Sequence, residues 1–256
     1  MKIQGKVFVI TGAASGLGAA TATYLAGQNA KVILVDMNQE LGLKMQQRLG
    51  PDALFVQLDV TDEHAVKVFF ENIEQQYGQL NGLVNCAGIA PSAKVLGRDA
   101  IHELTLFQKV LNINVSGTFN MIRFAASLMA KYGLQAGEEE RGVIINTASV
   151  AAFEGQIGQT AYAASKGAVV AMTLPLAREL AREAIRVMTI APGIMETPML
   201  QAMPQNVQDA LGQMVPFPPR LAKPKEFAHL VGHIFENSYL NGEVIRLDGA
   251  IRMQPK

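Results

Sequence analysis

A tyrosine and a lysine stand four residues apart in TAYAASKGAVVAM, at Tyr162 and Lys166. On a helix, positions i and i+4 share one face. A free phenol, with a pKa of about 10, is a poor base at neutral pH. A neighbouring ammonium favours the phenolate and lowers that value. The pair can therefore take a proton from an alcohol, and Tyr162 can return one in the reverse direction. The bland alternative is a core or surface tyrosine beside an ordinary lysine. Two further residues favour the chemical reading. Ser149 follows the apolar run GVIINT and can hold a substrate oxygen in line with Tyr162. Asn114 lies in a helical zone further upstream and can hold a water that passes the proton to bulk.

Removing a hydroxyl proton oxidises an alcohol only if hydride leaves the same carbon, so a hydride acceptor is needed. TGAASGLG, Thr11 to Gly18, supplies a place for one. It joins a strand-like run to a helix-like run. Gly12 permits a tight turn, Gly16 lets backbone approach a pyrophosphate, and Gly18 lets the helix pack closely on the sheet. The helix N-terminus would face the phosphates, and Ser15 and Leu17 beside it are expected to contact the cofactor. Turn glycines alone would be weak support; the strand–turn–helix setting strengthens it. Asp36 closes the run KVILVD, where a carboxylate can accept both hydroxyls of the adenosine ribose. It would repel a 2′-phosphate, and Met37 rather than a base follows it, so NAD is expected in preference to NADP. Asp59 can accept from the adenine amine, with a capping or turn role as the rival. Cys86, Ala87 and Gly88 are small enough for close backbone passage, and Cys86 reads as a buried apolar side chain rather than a nucleophile. Lys166 can also bind the nicotinamide ribose. No metal is called for.

Positioning these groups takes an alternation of strands and helices. Continuous apolar runs predict strands at Val7–Thr11, Lys31–Asp36, Ala53–Leu58, Gly82–Asn85, Gly142–Thr147, Ile185–Ala191 and Val244–Leu247. Helix-length segments separate them, including Leu104–Met129 with an interruption near Gly117, and Tyr162–Ala181. Strands that are apolar throughout are those covered on both faces. The rhythm predicts an α/β fold with a doubly wound parallel sheet of seven strands, Rossmann-like, in one domain over 1–256. In such sheets ligands sit beyond the carboxyl ends of the strands, where Ser149 and the glycine turn fall.

Two segments break the rhythm. GLQAGEEERG, Gly133 to Gly142, reads as a solvent-facing loop. The stretch from Gly193 to Pro224 is rich in Met and Pro, and a substrate lid is expected at about 195–220, with Met199, Met203, Met214 and Phe217 as an adaptable apolar wall. Composition limits the partners. The chain has 22 basic and 22 acidic residues, which gives no footing for nucleic acid. Its apolar runs are too short to span a bilayer. The opening residues enter a strand at once, and a single cysteine fits a reducing compartment, so a cytoplasmic protein is expected.

Together these motifs resemble the short-chain dehydrogenase/reductase family over nearly the full length. The likeness rests on TGAASGLG, Asp36, Asp59-Val60, NCAG, Asn114, Ser149, YAASK and Pro192-Gly193. It implies a tetrad of Asn114, Ser149, Tyr162 and Lys166, with Ser149 and Tyr162 meeting the substrate. The chain departs from the family's common NNAG at Cys86, and carries Ala148-Ser149-Val150 where a second serine is frequent. Neither departure touches the tetrad. Within the family, the segments from Arg141 to Leu180, IRVMTIAPGIMETPML, VPFPPRLAKP and NGEVIRLDGAIRMQP look like the 3-hydroxyacyl-CoA dehydrogenases. That likeness implies NAD-dependent oxidation of L-3-hydroxyacyl-CoA by a homotetramer, with Val60, Cys86 and Met195 to Thr197 contacting the cofactor. The rivals are a hydroxysteroid or other secondary-alcohol dehydrogenase, a 3-ketoacyl-carrier-protein reductase, and a non-catalytic nucleotide-binding scaffold. Asp36 argues against the reductase, whose relatives usually prefer NADPH. The complete tetrad argues against the scaffold.

Overall fold

The computed structural model describes residues 1–98, 100–134, 137–201 and 204–255, without the side chain of Met199. Seven strands form one sheet in the order β3-β2-β1-β4-β5-β6-β7, and every pairing is parallel. They are β1 Val7–Thr11, β2 Lys31–Asp36, β3 Ala53–Gln57, β4 Gly82–Asn85, β5 Gly142–Thr147, β6 Ile185–Pro192 and β7 Val244–Leu247. The strand order reverses between β1 and β4, which opens a crevice above their carboxyl ends.

The sheet is sandwiched because its strands are apolar on both faces. On one side pack α1 (Gly16–Gly27), α2 (Gln39–Leu49) and α10 (Pro224–Glu236); Phe8 of β1 meets Phe235 of α10 edge-on at 4.7 Å between centroids. On the other side pack α3 (Glu63–Tyr77), α5 (Thr118–Lys131) and α7 (Thr160–Leu180), around Val9, Phe69, Met121 and Val187. An aromatic pair of that kind adds about 0.5–1.5 kcal/mol beyond its buried area.

The long zone expected from Leu104 onward is helical throughout. It runs as α4 (Leu104–Leu111), a π-helical turn at Asn112–Gly117, and α5. Gly117 does not break the helix. It sits against Val60, and a Cβ there would lie 2.6 Å from the Val60 Cγ2. The π turn widens the helix where Asn114 must point inward, a common use of such turns.

Over 133–142 the expected solvent-facing loop holds at Gly133, Leu134, Gly137 and Glu139 and fails at Glu138 and Glu140; Gln135 and Ala136 lie outside the described residues. Glu139 is exposed, but Glu138 pairs with Lys6 and Glu140 is 6% exposed. Glu140 accepts from Arg186 Nη2 at 3.2 Å and from the Met1 ammonium at 2.6 Å. Burial pushes the Glu140 carboxyl up; the Arg186 guanidinium and the terminal ammonium outweigh it and hold the group below its ordinary value. A run of glutamates is read as solvated because sequence does not show the cations that the N-terminal stretch and β6 bring to it.

Candidate active site

A cleft of about 1100 Å³ opens above the carboxyl ends of the strands. Of the residues assigned from the sequence to catalysis or the cofactor, Ser149, Tyr162, Lys166, the glycine turn, Asp36, Asp59, Val60, Cys86 to Gly88, Pro192, Gly193, Met195 and Thr197 line it, whereas Asn114 and Glu196 do not. The glycine turn forms one wall. Gly12 has φ +63°, and a Cβ there would lie 2.8 Å from the Ala87 nitrogen. A Cβ on Gly18 would run into the Gly12 carbonyl. These two glycines let α1 and the end of β4 close on the turn. Thr11 ties the same corner, its Oγ1 accepting from the backbone nitrogens of Cys86 and Ala87 at 3.1 Å each. At Gly16, φ is +53° and the nearest atom to a Cβ would be the Thr197 Cγ2 at 3.7 Å. Ser15, the N-cap of α1, gives no side-chain acceptor to the first helical turn. An open glycine cradle, a helix start without a cap and an anion-favouring dipole fit a pyrophosphate.

Asp36 is aimed by its own neighbours. Its Oδ2 accepts from Ala14 N at 3.0 Å and its Oδ1 from Asn38 N at 2.9 Å. This fixes the carboxylate at the rim of the cleft, where its other lone pairs can meet ribose hydroxyls. Asp59 holds its local turn, accepting from the Thr61 nitrogen and hydroxyl at 2.8 and 2.7 Å, and also lines the cleft. Both of its sequence readings therefore have a physical counterpart. Burial pushes the Cys86 thiol up to about 11, as an unreactive small side chain requires.

Tyr162 and Lys166 lie in the first two turns of α7, beside the end of β5. The Lys166 ammonium is 5.7 Å from the Tyr162 ring centroid and donates to the Thr147 carbonyl at 2.7 Å. Ser149 follows β5; its Oγ accepts from Ala151 N at 3.1 Å. The electrostatics depart from the simple expectation that the lysine acidifies the phenol. Burial raises Tyr162 above 10, against a hydrogen bond with Ser149 that acts the other way. Burial also lowers Lys166 to about 8. Desolvation wins for both groups because each is enclosed and the lysine's hydrogen bond goes to a carbonyl. In this state Tyr162 holds a proton ready to give.

Asn114 reaches the site through other residues. It is fully buried. Its Oδ1 accepts from Ile89 N at 2.8 Å, and its Nδ2 donates to Ile89 O at 2.9 Å and Ser165 Oγ at 3.0 Å. Ser165 in turn donates to the Tyr162 carbonyl at 2.7 Å. Both amide hydrogens are thus spent on protein, which leaves no side-chain donor for the expected water. The amide instead fixes the chain after β4 and the start of α7 relative to each other.

The segment expected as a lid differs from the sequence reading in which apolar residues face the cleft. Among the described residues between Gly193 and Pro224 lie two short helices, α8 (Pro198–Gln201) and α9 (Gln205–Gln213). The cleft wall is built by Leu200, Val207 and Leu211 with Met195. Phe217 is 79% exposed and lies outside the lining, as does Met214. Met203 and the Met199 side chain fall outside the described residues. Spacing along α9 explains the outcome: Val207 and Leu211, at i and i+4, face one way. Sequence reasoning also missed Gln156, Gln159 and Met253, which line the cleft from the Ser149–Tyr162 connection and the C-terminal segment. The two glutamines flank the catalytic candidates in sequence and so could have been noticed. Met253 carries no such signal.

Comparison with known proteins agrees with this fold. Residues 6–208 match the family model described as short chain dehydrogenase. The chain is 52% identical to the 3-hydroxyacyl-CoA dehydrogenase type-2 of Bos taurus, over 99% of this chain and 97% of that protein. It is also 52% identical to the protein of the same name from Drosophila melanogaster, over 99% of this chain and 100% of that one. The crystal structure of 3-hydroxyacyl-CoA dehydrogenase type-2 from Mycobacterium avium superposes with a TM-score of 0.92 at 37% identity, covering 100% of both chains. A parallel sheet reversing between β1 and β4, a glycine turn under an uncapped helix, and a tyrosine–lysine pair beside a serine are thus joined to a match over most of the sequence: the chain belongs to the short-chain dehydrogenase family.

Proposed function

We propose that the protein catalyses reversible, NAD-dependent oxidation of L-3-hydroxyacyl-CoA to 3-ketoacyl-CoA. The observation that carries the chemistry is the convergence of Ser149, Tyr162 and Lys166 with the glycine turn in one cleft. The substrate class is supported by relatives named for that activity at 52% identity over nearly the whole chain. The nicotinamide cofactor supplies the hydride acceptor. Asp36, with Ala14 N and Asn38 N fixing its carboxylate, favours NAD by accepting ribose hydroxyls and repelling a 2′-phosphate.

The chain's own residues move the proton. In oxidation Tyr162 takes the C3 hydroxyl proton while Ser149 holds the same oxygen. In reduction Tyr162 donates it back. Because burial raises the phenol, the protonated form dominates at neutral pH, and oxidation should speed up as pH rises. Lys166 anchors the cofactor's ribose side and biases Tyr162 toward phenolate while it stays charged, which holds below about pH 8. Asn114 positions both through Ser165.

The reading includes one domain with the 195–220 segment as substrate lid, and a cytoplasmic homotetramer. Exposed Phe119 on α5 and Leu174 on α7, with β7 at the sheet edge, favour association. Light scattering at a mass of four chains would support the tetramer. Among the described residues no helix is long and apolar enough to cross a membrane.

A panel of steady-state assays tests the substrate. It compares NAD with NADP, and 3-hydroxybutyryl-CoA, longer and 2-methyl-branched 3-hydroxyacyl-CoAs, a 17β-hydroxysteroid and simple secondary alcohols. The proposal predicts the highest kcat/KM for a CoA ester with NAD. A steroid or alcohol exceeding every CoA ester by about tenfold, roughly 1.4 kcal/mol of transition-state binding, would overturn it.

A further inference from the structure

The C-terminal segment reaches back to the cleft, and its anchors lie on both sides of it. On one flank Met253 N donates to Glu154 Oε2 at 3.1 Å, Gln156 Nε2 donates to Gln254 O at 3.1 Å, and Ile157 N donates to Pro255 O at 3.0 Å. On the other flank Phe217 N donates to Gly249 O at 3.3 Å, and Gly249 presses against Val215 at φ +58°, a position that leaves no room for a Cβ. Ile251, between the two, is 1% exposed. The segment therefore bridges the lid and the connection that carries Ser149.

Glu154 is the knot of this bridge. It belongs to α6 (Ala151–Glu154), directly after Ser149. Its carboxylate accepts from Arg246 Nη1 and Nη2 at 2.7 and 3.1 Å, pairs with Arg252 Nε at 3.3 Å, and takes the Met253 nitrogen. Arg246 also donates to Asp248 Oδ2 at 2.7 Å and to the Ile251 carbonyl at 3.1 Å. A bidentate arginine–carboxylate pair sets direction as well as distance. The result places Met253 in the cleft lining with Leu200, Val207 and Leu211.

Resting on the hydroxyacyl-CoA reading above, we propose that Asp248–Pro255 is a strap closing the substrate end of the cleft. In it Met253 limits the length of the acyl chain, and Glu154 is the positioning residue that holds it there. The chemistry assigns the arms of the substrate. The CoA arm is polar and charged and must reach water. The acyl tail is apolar and takes the wall of Met253, Leu200, Val207 and Leu211. An unbranched thioether suits a boundary that meets chains of different shape.

The test uses the full-length protein and Met253→Ala. kcat/KM is measured on 3-hydroxyacyl-CoAs from butyryl to dodecanoyl and, in parallel, on a series of 2-alkanols lacking CoA. The strap predicts that Met253→Ala raises the long-to-short ratio of kcat/KM by about tenfold, the size of effect a methylene-scale change in an apolar pocket produces. A chain ending at Arg252 should shift the ratio in the same direction, with circular dichroism checking its fold. For Glu154→Ala the loss should fall on KM rather than kcat, and Glu154→Gln, which keeps an acceptor, should recover part of it. An unchanged chain-length ratio in Met253→Ala overturns the strap, as does an equal loss of kcat and kcat/KM in Glu154→Ala. If only the alkanols turn over, the hydroxyacyl-CoA reading fails by itself. The strap is then judged on the alkanol ratio.

Discussion

The two ends of the sheet hold charged and polar groups for opposite purposes. At the amino ends of the strands, Arg186, Glu140, the Met1 ammonium, Lys6 and Glu138 satisfy one another. At the carboxyl ends, Asp36, Ser149, Tyr162 and Lys166 are each fixed by one or two hydrogen bonds to the protein or to one another, yet all line an open cleft. The first cluster spends its charges on holding β5, β6 and the N-terminus together. The second spends a few hydrogen bonds on aim and leaves the remaining capacity for a ligand. Burial alone does not separate structural from functional groups: Lys166 and Arg186 are both 6% exposed. The partner does. Arg186 faces a carboxylate, whereas Lys166 faces a carbonyl and an aromatic ring.

Substitutions at the two ends should therefore fail differently. At the carboxyl end, Lys166→Met should cut kcat/KM for oxidation by about two to three orders of magnitude, within the range of positioned acid–base groups, and move the rising limb of its pH profile upward. The thermal midpoint should hold or rise, because an ammonium whose pKa is lowered on folding costs stability at neutral pH. A lost midpoint with an unmoved pH limb would place Lys166 with the structural cluster. At the amino end, Glu140→Gln leaves Arg186 buried without its counter-charge and should cost about 3–5 kcal/mol, read by denaturant unfolding, with kcat/KM preserved in the folded fraction. Its pH signature follows from the lowered carboxyl: stability is present above the ordinary value of 4.5 and is lost as pH falls through the folded value. Glu140→Gln should flatten that acid loss of thermal midpoint; an equally steep loss would remove Glu140 as its source. The smallest effect is on selectivity. Asp36→Ala should narrow the NAD/NADP ratio of kcat/KM by about tenfold, the worth of a charged hydrogen bond, and an unchanged ratio would detach Asp36 from cofactor choice.

The same contrast explains what the sequence made legible. All seven strands were readable because each is a short, largely apolar run, buried on both faces at the centre of the sheet and half-buried in β3 and β7 at its edges, and the glycine turn because Gly12 and Gly18 stand where no Cβ fits. The tyrosine and lysine were readable because one helix sets their spacing. What escaped depends on contacts between distant segments. Glu140 looked solvated until Arg186 and Met1 arrived from elsewhere. Met214 and Phe217 looked like a lid wall, but the turn at Gly249 engages the backbone of Phe217 and the wall falls to Leu200, Val207 and Leu211. The contacts of Asn114 were not readable, because the π turn and Ser165 decide where its amide points. The pKa of Tyr162 is set by the enclosure around it, against a hydrogen bond with Ser149, and neither shows in the sequence.

The central claim is that Tyr162 carries the proton in a cleft that also holds the cofactor. Tyr162→Phe removes one oxygen and leaves the glycine turn, Asp36 and Lys166 in place. NADH formation from 3-hydroxybutyryl-CoA at saturating NAD, measured beside NAD binding by calorimetry, tests it most directly. The account predicts that turnover falls by about a thousandfold while NAD affinity stays within about twofold of the unsubstituted protein. Undiminished turnover in Tyr162→Phe, with NAD bound as before, would contradict it.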